Sequence, residues 1–457
     1  MNRLGLFALG FAACHSSPRP APPGAAVTGQ VTAAPGTTAT GKLIVSWMTP
    51  EENHTIETSP QPILVLRNVI SRGTVIGEVD LARPAAFTVN PGRGRFILSA
   101  TLDAGHVGIT SMFGDPGALS GISAPIDVAD APVAVPPIAL AGGPSKPHVE
   151  GCQGPELTLE HLEAPGVAGT VGNSTSRRVC VRVPKDYADH PDKHYPVIYA
   201  LPGLAGNDEG AAAHHLADSE AAITVIIDTS TTTGSTYFVD NPTVGAWDTF
   251  FAKDVIPYID AHYRTLARRA GRGLVGHSTG GFNAMSYGLR HPELFGAIGS
   301  SSPDGLDFQV WLRDLHAARP WMQGWQRLEH ELGGAGQFTS YAADWSPTPG
   351  GYDWLFDASG AVVERVLQRW LVNIPSTWLA DPKRVAAVMP LGGHIYLTVG
   401  DTDEFDLHDP TVKFSEELTA VGIANELVVT HGGHATHLFD QVSAAVKFCV
   451  AKLDPAQ

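Results

Sequence analysis

Between about residue 27 and residue 140 the chain alternates short apolar runs with turn-forming residues. GKLIVSW, PILVLRNV, AAFTVNP, GRFILSATLD, ISAPIDV and VAVPPIAL are each of strand length, and Gly, Pro, Asn and Asp punctuate them. That is the spacing of a small all-β, sandwich-like domain. From about residue 150 the pattern changes. RRVCVRV, YPVIYAL, ITVIID, GRGLVGH, LFGAIGS, HIYLTVG and NELVVT are almost unbroken apolar runs, as strands covered on both faces require. Helical periods stand between them, in WDTFFAKDVIPYIDAHYR and in TVKFSEELTAVG, where Phe414, Leu418 and Val421 share a face and Gly422 is placed to cap the end. Strand alternating with helix predicts an α/β fold on a mostly parallel sheet. The pattern therefore divides the chain into a β-domain at 27–140, a linker at 141–149 containing AGGPSKP, and an α/β domain at 150–457.

The beginning of the chain belongs to neither unit. Residues 1–14, MNRLGLFALGFAAC, place one Arg before an apolar stretch that ends in small residues and a cysteine, the layout of an export signal. The stretch is too short to cross a bilayer. It resembles a bacterial lipoprotein signal, which implies lipidation of Cys14, membrane anchoring through it, and a periplasmic, outer-membrane or cell-surface location. Ordinary secretion is the second reading, and an accidental apolar start the bland one. Residues 15–26, rich in Pro, Ala and Ser, then read as an extended tether.

Composition narrows the classes further. A chain of 457 residues exceeds what one hydrophobic core organises, and 43% hydrophobic against 17% charged residues describes a folded, loop-rich protein. A formal charge of −16 disfavours binding to nucleic acid or anionic lipid, both of which need a basic face. Besides Cys14 there are three cysteines. Cys152 and Cys180 flank a predicted β-hairpin and are expected to pair, since an exported chain keeps disulfides. Cys449 shares a helical stripe with Leu438, Val442, Ala445 and Leu453 and reads as core.

Chemistry concentrates in GRGLVGHSTGGFNAMSYGLRHP. A strand ends at Gly276, Gly276-His277-Ser278-Thr279-Gly280 forms G-x-S-x-G, and helix-forming residues follow at once. In a chain with 49 glycines the five-residue pattern alone recurs by chance. Strand, turn and helix together make it a nucleophile elbow, in which glycines flank the serine because side chains there would clash. Ser278 then needs a base, and the base an orienting carboxylate, in the chain order Ser, acid, His. HIYLTVG runs into Asp401-Thr402-Asp403-Glu404-Phe405-Asp406, and NELVVT into His431-Gly432-Gly433-His434. The Gly-flanked His434 is the expected base, ahead of His431 and His437. The residues alone leave Asp401 and Asp403 unranked.

With YPVIYALPG, DVIPYIDAHYRT, GHSTGGFNAM, LRHPELFGAIGSSSP, GDTDEF and GGH in place, residues from about 155 to 453 resemble the esterase D-like family of α/β-hydrolases. The resemblance implies an α/β-hydrolase domain and a serine carboxylesterase acting through an acyl-enzyme, with no cofactor. It puts the acid at the fourth position of a G-x-x-D turn, which is Asp403 after Gly400, and it implies an oxyanion hole made by the amides of Leu204 and Thr279. The chain departs from the family at Pro202-Gly203, at Thr279 and at Ala435-Thr436. A hole built from backbone amides tolerates the first two changes; the third touches only the packing of the His loop. Acyl transfer to a sugar or lipid acceptor, and an inert binding protein on the same fold, are the alternatives.

An insertion at 303–390 holds seven of the nine tryptophans: Trp311, Trp321, Trp325, Trp345, Trp354, Trp370 and Trp378. It is expected to cap the serine, about half of its tryptophans building its own core and the rest facing a small-molecule or carbohydrate-linked ester. Metal readings fail. Asp401, Asp403 and Asp406 lack the Gly and the Glu of a calcium loop, the adjacent His214 and His215 diverge on a helix, and Asp103, His106 and Asp115 read as solvated turn residues.

Overall fold

A computed structural model describes residues 24–457 apart from short stretches at 35–36, 59–62, 106–107, 110–111, 113–117, 143–150, 205, 214–216, 315–319 and 358–359. The export signal with Cys14, most of the tether and of the 141–149 linker, His106, Asp115, and His214 with His215 lie outside the described residues.

Residues 27–142 form a nine-stranded sheet. Its path runs Thr74–Asp80, Thr40–Met48, Gly94–Asp103, Leu119–Ile122, Ile138–Gly142, Val27–Ala33, Ala85–Val89. The strand Gly94–Asp103 changes partner along its length. Its first residues pair with Ile126–Val128 and its later ones with Leu119–Ile122, so the strands fold around one core that includes Val31, Leu43, Phe87, Leu98 and Leu140.

Two expectations are corrected here. PILVLRNV is not a strand but most of a helix, Ile63–Ser71. Arg67, Val69 and Ile70 are all buried, and a short run that is apolar on most sides cannot be assigned from period alone. Asp103 is not solvated. It is 1% exposed and accepts the Gly108 amide at 3.0 Å, fixing a turn of the front domain.

The second unit is an α/β domain built on a mostly parallel sheet. Its strands are β1 (Leu157–Glu163), β2 (Ser176–Arg182), β3 (Val197–Leu201), β4 (Ile223–Ile227), β5 (Arg272–His277), β6 (Ala297–Ser301), β7 (Ile395–Gly400) and β8 (Glu426–Thr430). They lie in the order β1-β2-β4-β3-β5-β6-β7-β8. The β1–β2 and β2–β4 pairs are antiparallel and all others parallel. Every residue of β3 to β7 is buried, which is why these runs read as continuous apolar stretches instead of alternating ones.

The longer helices are α1 (Pro50–Thr58) and α2 (Ile63–Ser71) in the front domain, and α3 (Thr279–Arg290), α4 (Pro320–Leu332), α5 (Gln337–Trp345), α6 (His408–Ala420) and α7 (Leu438–Lys452) in the second unit. Successive side chains of a strand point to opposite faces. On β3, Tyr199 and Leu201 pack in one cluster with Phe282 and Met285 of α3, while Ile198 and Ala200 pack in another with Val442 and Cys449 of α7. Helices α3 and α7 thus cover the two faces and leave the C-terminal ends of β5, β7 and β8 open above the sheet. Cys152 and Cys180 form a disulfide that spans 28 residues and ties the chain ahead of β1 to β2.

Among the described residues, the 303–390 insertion contains a π-helical segment, Gln309–Asp314, then α4, α5 and three shorter α-helices, Glu364–Leu371, Pro375–Trp378 and Pro382–Val388. One buried carboxylate joins its parts. Glu329 of α4 accepts the amides of Gln337, Phe338 and Thr339 at the start of α5 and the indole N–H of Trp325 at 2.6 Å, satisfying donors that a helix N-terminus leaves open.

Candidate active site

The end of β5 turns into α3 within a single residue, and that residue is Ser278. Its φ of 58° and ψ of −125° lie outside the ordinary regions for an L-residue, a strain held only where the surroundings over-determine it. Both flanking glycines are required by contact. A Cβ on Gly276 would fall 2.1 Å from the Gly280 carbonyl oxygen, and one on Gly280 1.9 Å from that of Leu201. The Ser278 amide donates to the Ser301 carbonyl at 2.9 Å, and the Ser278 carbonyl accepts the amides of Phe282 and Asp304. The hydroxyl is thereby presented at the tip of the turn.

The expected acid and base arrive from β7 and β8 in that order. The loop after β7 carries Asp403 and the loop after β8 carries His434, and His434 Nδ1 meets Asp403 Oδ2 at 2.7 Å. The carboxylate is fully enclosed, and its other oxygen accepts the Phe405 amide at 2.9 Å. The backbone N–H of His434 donates to Glu404, a buried neighbour on the same loop. Two rings bracket the imidazole, His277 at 4.8 Å between centroids and Phe405 at 5.0 Å. His277, next to Ser278, is pushed well below its ordinary pKa by burial and by the charge of His434. For His434 itself, burial favours the neutral ring, but Asp403, through its charge and its hydrogen bond, together with Asp304 and Glu404, outweighs it, so the pKa is raised.

The alternatives from sequence separate cleanly. Asp401 accepts from Gly432 at 2.8 Å and pairs with His431 at 2.9 Å, but the His431 side chain is 93% exposed. His437 contacts the His431 carbonyl. A second Asp–His pair therefore exists on the same two loops, at the surface. The structure brings Ser278, His434 and Asp403 to one rim of the sheet. No hydrogen bond joins Ser278 Oγ to the imidazole among the described residues, and such contacts tighten when substrate binds.

The chain after β3 closes the other side. Gly203 packs against Ser278, since a Cβ added to it would lie 3.4 Å from that of Ser278. The amides of Leu204 and Thr279 have no hydrogen-bond partner among the described residues. The Thr279 side chain is engaged, with its hydroxyl donating to Asp304 Oδ2 at 2.9 Å. The same oxygen accepts from Tyr237 at 2.8 Å and from Gln337 at 2.7 Å. Burial raises the Asp304 pKa against the pull of these donors.

A cavity of about 130 Å³ opens beside Ser278. Its walls are Trp311, Trp321, Trp325, Phe338, Tyr341 and Phe405, with Leu204, Leu407 and Ile109 between them and Asp304 and Gln337 as its polar side. Of the seven cap tryptophans, three line it. Trp345, Trp370 and Trp378 are buried elsewhere in the insertion, and Trp354 meets the His330 ring at a tilt, 5.2 Å between centroids. Sequence reasoning missed Asp304, which directly follows SSSP in the quoted motif, and Glu404, which lies inside GDTDEF. It also missed Ile109, a front-domain residue that no local signal could connect to the site.

Over 132 residues the chain is 32% identical to esterases of two strains of Mycobacterium tuberculosis, an overlap of 27% of this chain and only 28% of those proteins. Among solved structures, a ferulic acid esterase is 19% identical with a TM-score of 0.43, covering 65% of this chain and 98% of that one. An S-formylglutathione hydrolase from Agrobacterium tumefaciens is 13% identical with a TM-score of 0.42, covering 65% and 95%. The family described as putative esterase matches residues 173–444, a stretch that holds Ser278, Asp403 and His434, and the chain belongs to that family.

Proposed function

We propose that the protein is a serine carboxylesterase that works through an acyl-enzyme. The observation that carries this reading is the enclosed His434–Asp403 pair, at 2.7 Å, on the same rim as a serine held in a strained strand-to-helix turn. Ser278 Oγ attacks the ester carbonyl while His434 takes its proton. Asp403 holds the ring in the tautomer that leaves Nε2 free to accept, and it stabilises the imidazolium that forms. The oxyanion is received by the two unengaged amides of Leu204 and Thr279, the second also favoured by its place at the first turn of α3. The proton then passes from His434 to the leaving alcohol, water enters, and the same steps in reverse order of roles release the acid.

The aromatic and aliphatic walls of the cavity suit an apolar acyl group of modest size. Replacing Ser278 by Ala is the direct test. Turnover of p-nitrophenyl acetate is expected to vanish with the fold intact, and a fluorophosphonate probe to label the wild type but not the variant. Retained turnover in a clean preparation of Ser278→Ala would refute the assignment. For location we propose export, with lipidation at Cys14, and mass spectrometry of the mature N-terminus tests it; an unmodified Cys14 still preceded by Met1 would exclude it.

A further inference from the structure

We propose that the front β-domain is a specificity-determining part of the esterase site, with Ile109 forming one wall of the acyl cavity and Arg67 positioning the tryptophan helix α4. This rests on the esterase reading above and extends it to a domain that the chemistry alone would treat as a spacer.

The first observation is where Ile109 lies. It is 1% exposed and lines the cavity together with Ser278. The turn that delivers it is built for the purpose. Asp103, enclosed at the end of the strand Gly94–Asp103, accepts the Gly108 amide, and Gly108 forms a parallel bridge with Ala335 in the connection between α4 and α5.

The second observation is that α4, which carries Trp321 and Trp325, is held along its length by front-domain groups. The Arg67 guanidinium lies 4.7 Å over the Trp321 ring. At Gly324 the backbones approach so closely that a Cβ would fall 2.1 Å from the Ser71 carbonyl oxygen. Arg327 donates to the Gly73 carbonyl at 2.6 Å. Lys42 donates to the carbonyls of Glu331 and Leu332 at 2.8 and 2.6 Å, which places a cation at the negative end of the helix and satisfies carbonyls that the helix leaves open. Ile44, Ile70 and Ile109 belong to the same buried cluster as Met322, Leu328 and Leu332 of α4. A domain serving only to separate the catalytic unit from its anchor needs none of these contacts.

The third observation links this interface to the base. Trp321 contacts Phe405 at 6.3 Å between centroids, and Phe405 contacts the His434 ring. Arg67, Trp321, Phe405 and His434 form one line of contact from the front domain to the imidazole. The far end of a bound acyl group therefore meets a surface made by two domains.

The test uses the full chain and a series of p-nitrophenyl esters from acetate to hexanoate. Ile109→Trp fills the wall and is expected to lower kcat/KM for hexanoate relative to acetate about tenfold, the scale at which a pocket discriminates one or two methylenes. Ile109→Ala is expected to move the same ratio in the opposite direction. A ratio does not depend on the fraction of enzyme that folds, and opposite shifts cannot arise from misfolding. Arg67→Ala is expected to raise KM for hexanoate severalfold with a smaller effect on kcat, and Arg67→Lys, which keeps a cation over Trp321, to restore it. Ratios within twofold of wild type for both Ile109 variants would overturn the proposal while leaving the esterase reading intact. A wild-type protein that turns over no ester and takes no fluorophosphonate label would overturn both.

Discussion

At the scale of single residues the site depends on two choices that the same two loops offer twice. Asp401–His431 and Asp403–His434 are both Asp–His pairs of hydrogen-bonding length, and burial decides between them. An exposed pair is screened by water and contributes little, whereas an enclosed carboxylate can fix an imidazole in one tautomer. Asp403→Asn is accordingly expected to lower kcat by about 10⁴, the cost of the wrong tautomer in such triads, and Asp401→Ala to leave it within about twofold; a reversed pattern in steady-state kinetics would reassign the acid. The raised pKa of His434 has a definite sign for activity. The base works only when neutral, so kcat/KM should fall as pH drops through a midpoint above the ordinary histidine value of 6.5. Burial lowers that midpoint, and the charges of Asp403, Asp304 and Glu404 raise it by more. Removing one of the raising charges in Glu404→Gln is expected to move the pH–rate midpoint downward, and an upward shift would contradict the balance described.

Among the elements, the turn from β5 to α3 has the least tolerance. A Cβ at Gly280 meets the backbone of β3 and Pro202, which no side-chain movement relieves, so Gly280→Ala is expected to cost activity by displacing Leu204 and Ser278 from each other even if the protein folds. The Cys152–Cys180 bridge closes a segment of 28 residues, and constraint of the unfolded chain by a loop of that size corresponds to roughly 3–4 kcal/mol. A Cys152→Ser, Cys180→Ser variant should lose about that much in chemical denaturation. Glu329, between α4 and α5, carries a pH dependence of the opposite kind to an ordinary surface carboxylate. Burial pushes its pKa up to about 7, against the pull of the Thr339 amide, the Trp325 indole and the amides of Gln337 and Phe338. A native carboxyl with a raised pKa adds stability in full below the unfolded value near 4.5 and loses it as pH rises through about 7. Cap stability should therefore decline across that window, and Glu329→Gln should flatten the decline, which hydrogen exchange of α4 and α5 amides would report.

For the molecule as a whole, the two β-rich and α/β units share a buried interface instead of being strung on a linker. Deleting residues 1–147 would uncover Met322, Leu328 and the Trp321 ring, and the truncated chain is expected to melt lower and aggregate, an outcome that a thermal scan with light scattering would show. What the amino-acid order determined by itself was local or periodic. Unbroken apolar runs marked the doubly covered strands β3 to β7, and the strand–turn–helix context marked Ser278 because the glycine requirement is a property of neighbouring residues. Chain order pointed to His434, and the resemblance to a family ranked Asp403. PILVLRNV stayed beyond reach because a short, mostly apolar run carries no period to choose helix over strand, and tertiary contacts of Arg67, Val69 and Ile70 chose. Burial of Asp403 against exposure of Asp401, the gathering of Tyr237, Thr279 and Gln337 on one oxygen of Asp304, and the arrival of Ile109 beside a serine far along the chain were decided only by the folded structure. Each depends on the distance between residues remote in sequence, and on which of them the packing removes from water.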